Sequence, residues 1–327
     1  MRTYLVTGGA GFIGSHVTEA LVKRGERVKV LDNFFTGKRE NLAPFDRDIE
    51  LIEGDVRDAS RYPEILDGVA TVIHLAALHE VVRSVECPME THDVNVAGTL
   101  NLLLGARRAG VKKFVFASSS AVYGENPAIP RIETMTPAPS SSPYAVTKQA
   151  GEYYCQLFST LYGLETVCLR FFNVYGPRQD AASTYAAVIP KFISLLLAET
   201  APTIYGDGEQ SRDFTFIGDC VAAVLAACEI PGLSGQALNI GTGRCTTINQ
   251  LYAQLQILLG TNLSPHYGPR QPGDLPHDQA DIGQAKRFLH FQPRYGLARG
   301  LQETIAFMRC AHLSEQSAIT GTRELRV

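Results

Sequence analysis

The chain has 327 residues, of which 45% are hydrophobic and 19% charged, which is enough for a large core and about two domains. Its 30 Lys and Arg residues nearly balance 33 Asp and Glu residues, which argues against nucleic acid or an anionic membrane as a partner. The apolar stretches fall far short of the roughly 20 residues that cross a bilayer, and a glycine turn comes too early for a signal peptide. We therefore expect a cytoplasmic globular protein.

The first half of the chain alternates short apolar runs with longer amphipathic ones, which predicts a doubly wound parallel sheet covered by helices on both faces. The strand candidates are Tyr4–Thr7, Val28–Leu31, Ile49–Glu53, Thr71–Leu75, Phe114–Ser118 and Thr166–Arg170. The helix candidates are Ile13–Arg24, Asp93–Ala109, Tyr144–Tyr162, Ala186–Ala198, Ile217–Cys228 and Ile248–Leu259.

The regular alternation fades after residue 172, where proline and glycine clusters begin to recur. We expect a smaller, irregular α/β substrate domain in the second half. The predicted cofactor domain covers 1–172, with a returning segment near 213–243, and the substrate domain covers 173–212 and 244–309. The segment 310–327 is polar, lacks clear periodicity and is treated as a tail of unknown order.

Metal-binding patterns are missing from the sequence. None of the seven cysteines has a partner at CxxC spacing, and the eight histidines are scattered along the chain. We therefore expect no metal site, and we expect the cysteines to be small buried residues in a reducing compartment.

A glycine-rich segment, Gly8–Gly14, follows the first strand and opens the first helix. Glycine allows a tight turn and a close approach to a pyrophosphate, which the helix N-terminus then stabilises. Asp32 ends the second strand, where an acid binds the ribose hydroxyls of a dinucleotide. Asn33 rather than an arginine comes next, so the pattern predicts a Rossmann domain that binds NAD in preference to NADP.

A candidate chemical site is formed by Tyr144 and Lys148, one helical turn apart on the same face. A nearby ammonium favours the phenolate and lowers the pKa of a tyrosine, which makes such a pair a general base for an alcohol. The hydroxyls of Ser118–Ser120, at the end of a strand, are candidates to hold a substrate oxygen near Tyr144. The spacing of the pair alone is common by chance, and a plain serine loop remains the alternative.

Taken together and in this order, the motifs resemble those of the extended short-chain dehydrogenase/reductases, in the nucleotide-sugar epimerase/dehydratase branch and most closely the UDP-hexose 4-epimerases. The similarity runs from residue 2 to about 309. It implies that Tyr144, Lys148 and Ser119 are catalytic. It also implies cofactor contacts from Gly8, Gly11, Phe12, Ile13, Gly14, Asp32, Asn33, Gly37, Asp55, Val56, Leu75, Ala76, Ala77, Asn95, Tyr144 and Lys148.

The second half resembles the same branch in three segments, 169–178, 205–214 and 270–281. By this resemblance, Arg212 and Arg270 hold a substrate pyrophosphate, which suits the planar fork of arginine. The remaining substrate contacts implied are Arg83, Ser119, Ser120, Tyr144, Asn173, Val188, Phe192, Tyr205, Asp274 and Asp278. For the apolar members of this set, packing in the core is the alternative.

The resemblance implies an NAD-dependent 4-epimerase that interconverts UDP-Glc and UDP-Gal, UDP-GlcNAc and UDP-GalNAc, or both, through a 4-keto sugar. The acid and base that 4,6-dehydratases carry after the catalytic serine are replaced by Ser120 and Ala121. A decarboxylase usually has a glutamate at position 121. Those enzymes and a UDP-glucuronate epimerase stay as alternatives, and a silent dinucleotide sensor is the alternative from another class.

Asp278 corresponds by resemblance to a position that limits sugar size, and a small residue there leaves room for an N-acetyl group at C2. An acid is unusual at this position, so it either accepts a polar substituent or faces water. We favour substrates that include UDP-GlcNAc and UDP-GalNAc over a charged uronate. A homodimer is expected by analogy with the family.

Overall fold

A computed structural model describes residues 1–140, 142–181, 183, 186–270 and 275–324, with side chains described through residue 310. Its strands are β1 (Thr3–Thr7), β2 (Arg27–Asp32), β3 (Ile49–Glu53), β4 (Thr71–His74), β5 (Lys113–Ser119), β6 (Glu165–Phe171), β7 (Val174–Tyr175), β8 (Thr203–Tyr205), β9 (Ser211–Arg212), β10 (Thr215–Phe216), β11 (Gln236–Ile240), β12 (Thr246–Thr247), β13 (His266–Gly268) and β14 (His277–Asp278).

The helices alternate with these strands in the first half and separate them irregularly in the second. They are α1 (Phe12–Lys23), α2 (Tyr62–Ile65), α3 (Val81–Glu86), α4 (Pro88–His92), α5 (Gly98–Arg108), α6 (Pro143–Tyr162), α7 (Val188–Leu197), α8 (Ile217–Glu229), α9 (Ile248–Leu259), α10 (Gly283–Leu289) and α11 (Leu297–Glu324). Among the described residues, no helix has the length and apolar character needed to span a membrane.

Seven strands form one sheet in the order β11-β6-β5-β4-β1-β2-β3, and every neighbouring pair is parallel. Alternate side chains enter opposite cores, as the two-residue period of a strand requires. On β1, Tyr4 and Val6 join the core that includes α1 and α8, whereas Leu5 joins the core of α5 and α6. The predicted doubly wound parallel sheet is confirmed, and its seventh strand, β11, comes from the later part of the chain.

The second half builds three small sheets, β10-β7, β12-β9-β14 and β13-β8, beside the carboxyl ends of the large one. The sequence did not predict their strands because two or three residues are too few to show a period. The expected tail is also different in the structure, since α11 continues through residue 324. The division into domains at the residues given above stays a prediction.

No cysteine forms a disulfide in the described part of the chain, but the cysteines are not uniformly buried as expected. Cys155, Cys168, Cys220 and Cys228 are buried. Cys87 and Cys310 are exposed. The prediction of small core residues therefore fails at the positions where a short helix or a helix surface carries the thiol.

Candidate active site

The glycine-rich segment folds into a tight turn between β1 and α1. Gly8 has a φ of +69°, and a Cβ there would lie 2.7 Å from the backbone nitrogen of Ala76. A Cβ at Gly14 would clash with the Gly8 carbonyl oxygen, and at Gly11 a Cβ would contact only that same oxygen. No side chain in the described chain caps the start of α1, whose first amides have no partners within the helix. We call this turn and these amides the glycine cradle.

Asp32 lies beside this turn at the carboxyl end of β2. One carboxylate oxygen accepts a hydrogen bond from the Ala10 amide at 2.9 Å and the other from the Phe34 amide at 2.8 Å. Burial raises the pKa of Asp32, and the two amide donors partly oppose that shift. Gly37 approaches closely, since a Cβ there would lie 2.8 Å from an Asp32 carboxylate oxygen.

The neighbouring strand ends complete the walls of the cradle. The Asn33 amide donates to Asp55 at 2.8 Å, and Arg57 hydrogen bonds lower the pKa of Asp55 to about 2. Val56 is buried, and the Leu75 amide donates to the Thr7 carbonyl at 3.2 Å. The remaining predicted cofactor contacts in this region are partly buried or line the turn, namely Phe12, Ile13, Ala76 and Ala77.

Tyr144 lies in the first turn of α6, whose start is fixed by local sequence. Ser142 caps the helix by accepting from the Ala145 amide at 3.3 Å, and Pro143 occupies the first position, where no amide hydrogen is needed. The Tyr144 side chain is buried and hydrogen bonds with the Ser119 hydroxyl at the end of β5. The structure therefore brings together two of the residues predicted to be catalytic.

Lys148 follows one turn later on the same face of α6. Its Nζ donates to the Ala117 carbonyl at 2.7 Å and lies 5.8 Å from the centre of the Tyr144 ring. Burial lowers the pKa of Lys148 to about 8. Burial also raises the pKa of Tyr144, with the Ser119 hydrogen bond opposing it. The lowering of that pKa by Lys148 together with a positive nicotinamide stays a prediction.

Two side chains outside the predicted set of site residues, Ser84 and Glu152, anchor this helix. Ser84 is fully buried, and its hydroxyl accepts from the Tyr144 amide at 3.2 Å. Glu152, one turn after Lys148, accepts from Arg170 Nε at 2.9 Å and from its Nη2 at 2.7 Å. The four-residue spacing that relates Tyr144, Lys148 and Glu152 was a signal that could have found Glu152.

Asn95 was predicted to contact the cofactor, but its side chain holds protein backbone. It lies in a π-helical turn, Asp93–Ala97, between α4 and α5. Its amide oxygen accepts from the Leu78 amide at 2.8 Å, and its nitrogen donates to the Leu78 carbonyl at 2.9 Å and to Thr147 at 3.0 Å. These contacts hold the segment that follows β4 beside α6, and a contact of Asn95 with the cofactor stays a prediction.

A family model described as the NAD dependent epimerase/dehydratase family matches residues 4–241, which include the glycine turn, Asp32, Ser119, Tyr144 and Lys148. The chain belongs to this family.

Members of this epimerase/dehydratase family resemble the chain over nearly its whole length. A UDP-glucose 4-epimerase from Mycolicibacterium smegmatis is 40% identical over 313 residues, which are 94% of this chain and 99% of the relative. A structure of a UDP-N-acetylglucosamine 4-epimerase from Methanobrevibacter ruminantium, in complex with UDP-N-acetylmuramic acid, has 40% identity and a TM-score of 0.91, covering 95% of this chain and 99% of the other. A UDP-glucose 4-epimerase from Thermus thermophilus in complex with NAD has 36% identity and a TM-score of 0.85, covering 94% and 99%.

The cradle fits the family's cofactor. The Gly8 and Gly14 positions admit no Cβ, and the start of α1 supplies amides for phosphates. The Asp32 carboxylate suits ribose hydroxyls and opposes a 2′-phosphate. In the segment after it, Lys38 pairs with Asp180 at 3.2 Å, and Arg39 pairs with Glu53, so both cations already serve carboxylates. These residues favour NAD over NADP.

The predicted substrate contacts are spread over the second half. Asn173 has a φ of +32°, and among the described residues its buried amide nitrogen has no hydrogen-bond partner, which suits a ligand contact. Tyr205 is partly exposed, and a Cβ on Gly206 would lie 3.9 Å from the Arg270 Cβ. Tyr205 and Arg270 therefore border the same turn.

Arg212 and Asp278 are paired in register on β9 and β14. The Asp278 carboxylate accepts from the Ser120 hydroxyl at 2.9 Å and lies 3.5 Å from Arg131 Nε. Asp278 is 5% exposed, so the alternative in which it faces water is wrong. Arg131 was missed because it lies in a loop with no motif or period.

Other predicted substrate residues have different surroundings. Arg83 pairs with Glu90 at 2.8 Å and stacks 4.8 Å from the Phe35 ring. Phe192 is buried edge-on against Tyr252, which favours the core-packing alternative, and Val188 begins α7 partly buried. Asp274 lies outside the described residues.

Proposed function

We propose that the protein is an NAD-dependent UDP-sugar 4-epimerase, acting on UDP-Glc and UDP-Gal, on UDP-GlcNAc and UDP-GalNAc, or on both pairs. The observation that carries this proposal is the hydrogen bond between Tyr144 and Ser119, with Lys148 one turn below and the glycine cradle beside it. The 4-epimerases among the relatives support the reaction, and the cradle supports the cofactor.

The chain's own residues handle the proton of the sugar 4-hydroxyl. NAD held by the glycine turn and Asp32 would supply hydride acceptor and donor chemistry for C4. Tyr144 takes the hydroxyl proton at its phenolic oxygen and later gives it back. Ser119, which hydrogen bonds with Tyr144, binds the same hydroxyl, and Lys148 keeps a cation near the phenol.

Loss of water or of carbon dioxide is disfavoured by the residues that follow Ser119. Ser120 and Ala121 provide neither the acid nor the base that elimination needs. One carboxylate does reach this place, since Asp278 accepts a hydrogen bond from Ser120, but Asp278 is engaged by Arg131. We therefore favour epimerisation over the other reactions of the family.

The test is product analysis with each of the four UDP-sugars in turn, without added reductant. We expect each active substrate to give its C4 epimer with no net NADH. Tyr144→Phe should lower kcat by about 10²–10⁴-fold while UDP still binds, because only the base is lost. A product that lacks water or carbon dioxide would overturn the proposal, as would near-normal turnover by Tyr144→Phe for the assigned base.

We also infer a homodimer through the outer face of α6. Val146, Tyr153, Leu157 and Leu161 recur at helical spacing and are 48–65% exposed, forming one apolar stripe. Met89 of α4, which packs on α6, is 70% exposed and extends it. A second copy of the same stripe is the partner of matching chemistry.

We also propose a cytoplasmic location. The cysteines without disulfides among the described residues support a reducing setting of this kind.

A further inference from the structure

Arg131 and Asp278 form a buried ion pair where the loop after Ser119 meets the sheet β12-β9-β14. Arg131 is 1% exposed and Asp278 is 5% exposed, and Arg131 Nε lies 3.5 Å from one Asp278 oxygen. The other oxygen accepts from the Ser120 hydroxyl at 2.9 Å. Each carboxylate oxygen therefore has its own donor, which fixes the orientation of the group.

The backbone binds Arg131 to the segment that directly follows β14. Its amide donates to the Gln279 carbonyl at 2.7 Å, and its carbonyl accepts from the Asp281 amide at 2.8 Å. The Arg131 guanidinium also donates to the Asn126 and Ala128 carbonyls. The loop from 126 to 131 is thus held by the Arg131 side chain to Asp278 in β14 and by the Arg131 main chain to the residues that follow β14.

This cluster connects the two ends of the substrate site. On one side, Ser120 follows Ser119, which hydrogen bonds with Tyr144. On the other side, Asp278 is the register partner of Arg212, and the Asp213 amide donates to the Asp278 carbonyl at 2.9 Å. Asp278 therefore contacts the loop after Ser119 through its carboxylate and the strand of Arg212 through its main chain.

A buried ion pair is a poor device for stability, because apolar side chains of similar volume serve as well. Its value lies in geometry, and a misplacement of about 1 Å can cost a reaction about 10²-fold. We propose that Arg131 and Asp278 are positioning residues that set the distance between the sugar 4-hydroxyl site and the diphosphate-binding strand. This inference rests on the proposed epimerase function.

The test separates positioning from stability. Kinetics with the UDP-sugar that the wild-type enzyme converts fastest, calorimetric binding of UDP and thermal melting are measured for the wild-type enzyme, Arg131→Met, Asp278→Asn and the double variant. We expect each single variant to lower kcat about 10–100-fold, with KM and the Kd of UDP within about threefold. The double variant should regain melting temperature, because no unpaired charge is left buried, while kcat stays low.

Two further variants make the result decisive. Arg131→Lys keeps the charge and should keep most of kcat. Lys113→Met breaks a part-buried pair with Glu165, 3.1 Å apart, at the opposite end of β5 from Ser119, and should lower the melting temperature without lowering kcat. If Arg131→Met does not fold, Asp278→Asn and the double variant carry the same comparison.

The outcomes distinguish the two proposals. Unchanged kcat in the folded variants of an active enzyme would overturn this inference alone, and so would losses of kcat that follow melting temperature in every variant, Lys113→Met included. A wild-type protein that binds UDP but converts no UDP-sugar would overturn the proposed function and this inference with it.

Discussion

Tyr144 is subject to two opposing effects, both of which follow from its place in the first turn of α6. Burial raises the pKa of its hydroxyl, and the Ser119 hydrogen bond lowers it. Burial lowers the pKa of Lys148 itself to about 8. The base therefore depends on a cation that is itself close to losing its charge near neutral pH.

This balance predicts an alkaline limb in the pH profile. The charged form of Lys148 favours the Tyr144 phenolate, and that charge is lost as the pH rises through about 8. We expect kcat/KM to fall above this pH, and Lys148→Met to lower activity about 10²-fold and to remove the limb. Profiles from pH 6 to 10 check this, with Lys113→Met as the control that keeps the limb. A limb that persists in Lys148→Met would contradict the assignment.

The residues of the cofactor and proton-transfer sites were predictable because their signals are local. Glycines in a turn, Asp32 at a strand end and the Tyr144–Lys148 spacing each lie within one stretch of sequence. The contact of Arg131 with Asp278 and the contact of Ser84 with Tyr144 were not predictable, because only the fold brings these distant residues together.

At the scale of elements, β4 is tied to its neighbours by His74. One imidazole nitrogen contacts the Thr7 hydroxyl of β1 at 2.7 Å, and the other contacts the Thr99 hydroxyl of α5 at 2.9 Å. Burial lowers the pKa of His74 to about 3, so the ring stays neutral in the folded state. His74 is 1% exposed and held by two hydroxyls, which is the environment of a core histidine.

This histidine predicts a pH dependence of stability. A depressed folded-state pKa gives a contribution that is full above the unfolded value near 6.5 and is lost as the pH falls toward 3. On acidification from pH 8 to pH 5, the protonation of His74 on unfolding should lower the free energy of unfolding by about 2 kcal/mol.

Urea unfolding at several pH values measures this effect. His74→Gln should show a smaller loss of stability on acidification than the wild-type protein. His266→Gln, on an exposed strand, is the matched control and should keep the wild-type slope. Equal slopes for all three proteins would contradict the role of His74.

Helix and strand types were predicted well where an apolar period runs for several turns, as in α6 and α9. Boundaries were less secure. The helix predicted from Asp93 begins at Pro88 and contains a π-helical turn. This widened turn was not predicted, because it leaves the apolar pattern of the sequence unchanged. The helical run beyond residue 310 was missed because its polar sequence carries no stripe.

For the whole molecule, the sheet was predictable and the second half only in outline, since strands such as β9 and β14 exist through pairing across distant segments. The apolar stripe on α6 also has its meaning at this scale. Leu157→Glu combined with Leu161→Glu should convert a dimer to a monomer in sedimentation experiments, because charges replace exposed apolar contacts.

The matched control for the stripe is Ile257→Glu, at an 81% exposed position on α9, which should leave the oligomeric state unchanged. A wild-type monomer would contradict the proposed homodimer. So would a double variant that remains dimeric.

The proposed epimerase reaction requires oxidation and reduction at one sugar carbon beside Tyr144, with the hydrogen of C4 kept inside the site. The most direct measurement uses UDP-galactose carrying deuterium at C4, followed by magnetic resonance of the product. We expect UDP-glucose that retains deuterium at C4, with no deuterium lost to water. A product with hydrogen from water at C4, or one that has lost water, would contradict the proposed reaction.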